Sequence, residues 1–323
     1  MSTPAPFSIH MDASGPHAGV AVFHLEPNVG PMVVLDDVLI QRLEATLREL
    51  PRNAIGLVMA SASPRVFVAG ADLKTIAELS DADLARYLAF GQRVFGMLAD
   101  LPYPTAAAIH GAALGGGLEV AMHCDALVAS PPAPTIKDGQ TIPPKPYPVG
   151  LPEAGLSICP GWGGTNLLPA RIDPERAIRA TCTGGTFTFD EAKALGLFDV
   201  VAPSKDTLLD TAKAWIRDRV KANPGSASLT RDGAPSRWIG RGDCAAKVLA
   251  AVDVVRRDHA FDPSGSSATD STKAVIEAID AGLSGGTGGS TGWRSALAVE
   301  LRQLVRLRSL PAGKTAIEKF FAK

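Results

Sequence analysis

The chain has 323 residues, 46% of them hydrophobic and 20% charged, the proportions of a globular protein and not of a disordered one. Lys and Arg together number 32 against 33 Asp and Glu, so no basic excess points to a nucleic-acid partner. A chain this long buries roughly three quarters of the surface it exposes when unfolded, and its length suggests about two domains.

The amino terminus, MSTPAPFSIHMDASGP, lacks a basic stretch followed by an apolar one, so no secretory signal is expected. Ala18 to Leu25 is β-branched and apolar and predicts a strand. Leu35, Leu39, Leu43, Leu47 and Leu50 follow at helical spacing, an amphipathic helix stopped by Pro51. Ala54 to Ala60, Thr105 to His110 and Asp125 to Ala129 are continuous apolar runs, as expected of strands covered on both faces. Helices are predicted between them, over Asp81 to Leu101 and Gly115 to His123. Pro131 to Pro148 holds seven prolines and reads as a loop with no element of its own. After about Pro203 the strand signals stop. Helices are predicted over Thr207 to Val220, Cys244 to Arg257, Thr272 to Gly282 and Arg294 to Leu307, joined by Gly/Ser-rich linkers such as Ser284 to Gly292.

This alternation predicts an α/β fold with covered parallel strands, a core over residues 1–205 and a helical carboxy-terminal region over 206–323. The most apolar long window, Thr105 to Met122, is broken by His110, Glu119 and glycines, so no membrane span is expected. Cys124, Cys159, Cys182 and Cys244 form no CxxC pair and read as reduced thiols of a cytoplasmic compartment. The six histidines are scattered, with no metal-ligand spacing.

Three segments are hard to explain by packing alone. In Val66-Phe67-Val68-Ala69-Gly70-Ala71-Asp72-Leu73 an apolar run ends and a helix begins. Asp72 there is either an N-cap or a sign that N–H groups near Ala71 stand free for an oxyanion. In Ile109 to Glu119 three consecutive glycines precede a helix, an entropic cost that close approach of backbone to a ligand would explain. Glu119 lies between Leu118 and Val120, which favours burial of its carboxyl. In Gly150 to Leu156, Pro152-Glu153 is ordinary capping chemistry for a helix start. No G-x-G-x-x-G spacing supports a dinucleotide site.

Together FVAGADL, IHGAALGGGLEVAMHCD, GLPEAGLSICPGWGGTNLLP and the stretch from Thr183 to Leu197 resemble the crotonase superfamily, the enoyl-CoA hydratase/isomerase group. The closing ALAVELRQLVRLRSLPAGKTAIEKFF resembles the last helices of the hydratase half of multifunctional fatty-acid oxidation proteins. The resemblance implies a crotonase-like spiral of ββα units with a helical carboxy-terminal region, assembled as a homotrimer or a dimer of trimers. It implies an acyl-CoA thioester substrate, with coenzyme A as part of the substrate and no separate cofactor, and a β-oxidation enzyme as a partner. By the same resemblance, the thioester oxygen would sit between the N–H groups of Ala71 and Gly116. Glu119 would activate the water added at C3, and Glu153 would deliver the proton to C2. Ala69, Asp72, Leu73 and Lys74 would border the coenzyme A moiety, with Arg65 and Lys74 either on its phosphates or merely solvated. Isomerases of the family usually keep only the carboxylate at the Glu153 position, so the presence of both acids favours an enoyl-CoA hydratase over a Δ3,Δ2-enoyl-CoA isomerase or an acyl-CoA thioester hydrolase, the alternative outside these being a catalytically weak acyl-CoA-binding partner. The Pro-rich stretch departs from the family pattern.

Overall fold

The computed structural model describes residues 4–137, 140–222, 231–260, 269–285 and 290–322. Its main sheet begins with β1 (Ile9–Met11) antiparallel to β2 (Val20–Leu25). It continues in parallel through β3 (Gly56–Ser61), β5 (Thr105–Ile109), β7 (Ala126–Ala129) and β12 (Val200–Val201). These strands carry no polar alternation because both faces are covered. Phe23, Leu57, Met59, Ala107 and Leu127 face the main core, while Val22, Val58, Ala106, Ala108 and Val128 face α8 (Leu208–Ala222), which contributes Leu208, Ala212 and Ile216.

A second sheet holds β4 (Val66–Val68), β6 (Ala112–Leu114) and β10 (Pro148–Gly150) in parallel, with β11 (Thr186–Thr188) antiparallel at its edge. Successive strands alternate between the sheets: β3 then β4, β5 then β6, β7 then β10. A helical element follows each pair. These are α2 (Leu73–Glu78) with α3 (Asp81–Asp100), then α4 (Gly116–Met122), then a 3-10 turn over Pro152–Leu156. This repetition is the ββα spiral, and it sends the helix starts after β4, β6 and β10 to one region.

The amphipathic helix predicted from Leu35 is α1 (Asp37–Arg48). It starts two residues later because the Asp36 carboxylate accepts the Leu39 N–H at 2.7 Å, leaving Leu35 to bridge to Ala71. The Pro-rich stretch is not the elementless loop its prolines suggest. It forms an antiparallel hairpin of β8 (Thr135–Lys137) and β9 (Gln140–Ile142) and then enters the second sheet as β10. An Asp-Gly pair such as Asp138-Gly139 is a hairpin signal, though these two residues lie outside the described ones.

Beyond β10 come α5 (Gly164–Leu167), α6 (Pro174–Thr183) and α7 (Phe189–Ala194). The carboxy-terminal helices are α9 (Cys244–Ala260), α10 (Asp270–Ser284), α11 (Ser290–Ser309) and α12 (Pro311–Phe321). Of the linker expected over Ser284 to Gly292, Ser284 belongs to α10 and 290–292 to α11, while 286–289 lie outside the described residues. α9 packs on α6, α10 on α5 and α6, α11 on α3 and α5, and α12 on α2 and the 3-10 turn. No helix among the described residues is long and apolar enough to cross a membrane.

Candidate active site

The chain leaves β4, turns through Ala69 and Gly70, and starts α2. Leu35 donates to the Gly70 carbonyl at 2.9 Å and accepts from the Asp72 N–H at 3.3 Å. The Asp72 carboxylate caps α2, accepting from the Lys74 N–H at 3.0 Å and the Thr75 hydroxyl at 2.6 Å. The Ala71 N–H points elsewhere and donates to no other described residue. At the start of α4 the Gly116 N–H is likewise without an acceptor among the described residues, as the first amides of a helix are.

Gly115 precedes it at φ +52°, and a Cβ there would lie 2.4 Å from Glu153 Oε1, so both backbone conformation and space require glycine. The next two glycines have packing reasons as well. Side chains at Gly116 and Gly117 would strike the Trp162 ring at 2.4 Å and the Val68 carbonyl at 2.3 Å. The glycine run therefore seats α4 against its neighbours in addition to clearing room above its N-terminus. At the other end of α4, buried Arg171 donates to the carbonyls of Met122 at 3.0 Å and Cys124 at 2.7 Å.

Ala71, Gly116, Glu119 and Glu153 line one cavity of about 400 Å³ whose other walls are mainly apolar, among them Leu73, Leu88, Leu114 and Trp162. Glu119, one turn into α4, is 1% exposed. Its Oε1 accepts the N–H groups of Trp162 and Gly164, both at 2.8 Å. Glu153 sits in the 3-10 turn after Pro152, and its Oε2 is buried with no hydrogen-bond partner among the described residues. A third acid joins them. Glu300 of α11 is 0% exposed and accepts from Gly163 N–H at 2.5 Å, Thr165 N–H at 3.0 Å and the Thr165 hydroxyl at 2.5 Å.

Burial holds all three carboxyls above the usual carboxylate range. For Glu119 the neighbouring acids Glu300 and Glu153 push further in the same direction, against the amides of Gly164 and Trp162. Glu153 is pushed up to about 8 by burial and then by Glu300. Glu300 rises to about 7 by burial, opposed by its bonds to Thr165 and Gly163. Acids so close together, without a cation, cannot all be ionised at neutral pH. His123 does not relieve them: burial pushes its imidazole down to about 4, and its Nδ1–H donates to the Glu119 carbonyl at 2.9 Å, so it is neutral.

Of the residues singled out in the sequence, Ala69, Ala71, Leu73, Gly116, Glu119 and Glu153 meet at this cavity. Arg65 and Lys74 are exposed away from its lining, and the Asp72 carboxylate is engaged in capping. Sequence reasoning missed Glu300, Leu304 and Phe320, the last two also lining the cavity from α11 and α12. A signal for Glu300 existed: it stands in the stripe of Trp293, Ala296, Leu304 and Leu307 that α11 buries.

Known proteins resemble this chain in sequence and in fold. A family model described as enoyl-CoA hydratase/isomerase matches residues 17–232. The fatty acid oxidation complex subunit alpha of Vibrio cholerae serotype O1 is 32% identical over 290 residues, covering 87% of this chain and 36% of that protein. The subunit of the same description from Vibrio vulnificus is 41% identical over 162 residues, 50% of this chain and 21% of that protein. The chain thus spans about a third or less of the length of these relatives. Among solved structures, human mitochondrial delta3-delta2-enoyl-CoA isomerase superposes with a TM-score of 0.64 at 22% identity, over 98% of this chain and 96% of that one. An enoyl-CoA hydratase from Mycobacterium avium subsp. paratuberculosis gives 0.59 at 16%, over 99% and 96%. The α/β spiral and the extent of the family match lead to one conclusion: the chain belongs to the enoyl-CoA hydratase/isomerase family, within the crotonase superfamily.

Proposed function

We propose that this chain is an enoyl-CoA hydratase, adding water across the C2=C3 bond of a 2-enoyl-CoA thioester to give the 3-hydroxyacyl-CoA. The observation that carries the reading is the meeting, in one apolar cavity, of two acids from separate elements with the free amides of Ala71 and Gly116. A cavity of about 400 Å³ has room for an acyl thioester. Addition of water to a conjugated thioester gathers negative charge on the carbonyl oxygen. Two fixed N–H donors stabilise that charge, each contributing roughly 10²–10³ in rate, and the α4 dipole adds to them.

In its ionised form, which the Trp162 and Gly164 amides favour against burial and the neighbouring acids, Glu119 keeps Oε1 on those amides and offers Oε2 to a water, from which it takes a proton as the oxygen attacks C3. Glu153, whose burial keeps it protonated, gives its proton to C2. The two acids end with their protons exchanged, and the starting state is restored through water. No resident cofactor enters these steps, since coenzyme A is carried by the substrate. The fatty acid oxidation complex subunits among the relatives support an acyl-CoA substrate and a further β-oxidation enzyme as partner.

The test is hydration of crotonyl-CoA and longer 2-enoyl-CoA thioesters, followed by loss of the conjugated absorbance, with product mass increased by one water. Glu119→Gln and Glu153→Gln are each expected to lose about 10²–10⁴ in kcat/KM. Absence of turnover at every chain length overturns the reading. If Glu119→Gln spares a shift of the double bond from C3=C4 to C2=C3 while Glu153→Gln abolishes it, the chain is an isomerase, since moving a proton needs one acid and no positioned water.

A further inference from the structure

Residues 162–165 offer four successive N–H groups to two carboxylates in strict alternation. Trp162 and Gly164 donate to Glu119, and Gly163 and Thr165 donate to Glu300. Gly163 at φ +102° lets the strip turn its amides alternately to the two sides, and a Cβ there would lie 2.2 Å from the Trp293 ring. Glu300 comes from α11, far along the chain, is not among the residues that line the cavity, and its carboxylate accepts hydrogen bonds from Gly163 and Thr165 of this strip. A neutral acceptor would satisfy the same two amides without burying a further acid beside Glu119 and Glu153.

We propose that Glu300 is a positioning residue: it clamps the Gly163 and Thr165 amides so that those of Trp162 and Gly164 fix Glu119 Oε1, leaving Oε2 to the substrate water. This rests on the reading of Glu119 as the water-activating acid. Its charge also matters, because a negative neighbour makes Glu119 and Glu153 hold a proton more tightly. The other groups within reach do not offset it. Burial keeps the Cys159 thiol, 3.8 Å from the Glu300 carbonyl, above its usual range. His123 is neutral, and Arg306 of α11 is engaged with Gln303 and Asp270.

The experiment compares the full chain with Glu300→Gln and Glu300→Asp on a 2-enoyl-CoA. Glu300→Gln is expected to lower kcat about 10–100-fold, as for a misplaced catalytic group, with KM changed less than about threefold. It should also move the ionisation seen in the pH profile of kcat/KM to lower pH. Glu300→Asp, which keeps the charge but shortens the reach, should lose kcat with that ionisation near its original place. A lowered melting temperature with kcat and pH profile unchanged in Glu300→Gln overturns the proposal, leaving only a structural role. Should Glu300→Gln not fold, Glu300→Asp with unchanged kcat overturns it equally. If the native chain hydrates no enoyl thioester, the functional reading falls, and carbon-13 titration of the Glu119 carboxyl still decides the positioning. A shift to lower pH in Glu300→Gln supports it, and an unchanged titration overturns it.

Discussion

The Asp125 and Asp199 side chains are 6% and 8% exposed and meet arginines; Glu119, Glu153 and Glu300 are buried and meet none among the described residues. Arg231 grips both oxygens of Asp125, at 3.1 and 2.9 Å, and also the carbonyls of Ala99 and Tyr103. Asp199 lies 2.6 Å from Arg237 and 3.5 Å from Arg171. At these pairs each desolvated charge is offset by an opposite one, although the Nε of Arg171 and of Arg231 is buried with no partner among the described residues. At the three glutamates only backbone amides and the Thr165 hydroxyl oppose the charge, and Oε2 of Glu153 has no partner among the described residues. The fold can therefore supply arginines to buried acids, and the cavity floor lacks them. Acids held without a cation keep protons available near neutral pH, the property acid/base chemistry needs and stability does not.

The sharpest way to break this contrast is to remove the cation where there is one. Arg231→Met leaves Asp125 buried with only Thr105 beside it, and is expected to cost about 3–5 kcal/mol in denaturant unfolding. Activity per folded molecule should stay at the native level, because Arg231 lies outside the cavity lining. A small stability loss would mean that the pair is no stronger than the cavity floor, and the contrast would fail. A smaller effect is expected at Gly115→Ala, and of the opposite kind. The new methyl would displace Glu153 Oε1 and strain a backbone at φ +52°. Turnover should fall about 100-fold, as for a misplaced reacting group, with only about 1–2 kcal/mol lost in stability.

How far the sequence shows these two regions depends on how local their causes are. The strands β2, β3, β5 and β7 are legible as apolar runs because they are buried in the middle of the main sheet, whereas β1 and β12 are short and part-buried at its edges, and β6, β10 and β11 have three residues each and exist by pairing within the second sheet. Glu119 is legible because Leu118 and Val120 flank it inside a helix that is buried throughout. Glu153 is not, since Pro-Glu at a helical start is common capping chemistry and the turn that carries it is packed by α6 and α12. Glu300 is legible only as a member of the buried stripe of α11, since what it bonds is not written near it. Its partner amides lie 135 and 137 residues earlier in the chain, a separation that no local pattern reports. The hairpin of β8 and β9 was hidden by seven prolines, which are compatible with turns and edge strands as well as with loops.

The gentlest test follows the cost of the unpaired acids through pH. An acid whose folded pKa lies above its unfolded value binds more protons folded than unfolded, so stability falls as pH rises between the two values. For Glu153 that window runs from about 4.5 to about 8, with its stabilising contribution complete below the lower value and lost through the upper one. Glu300 adds a loss in the same direction up to about 7. The melting temperature of the native chain should therefore decline from pH 5 to pH 8, measured at fixed ionic strength. Glu153→Gln removes one ionisation and should flatten the decline, melting above the native chain at pH 8 even as its turnover is lost. Arg231→Met leaves Glu119, Glu153 and Glu300 in place but strips Asp125 of its cation, so its lowered curve should decline no less steeply than the native one. Equal slopes in the native chain and Glu153→Gln would show that Glu153 carries no ionisation cost across this range, and its assignment as the proton donor to C2 would lose its physical basis.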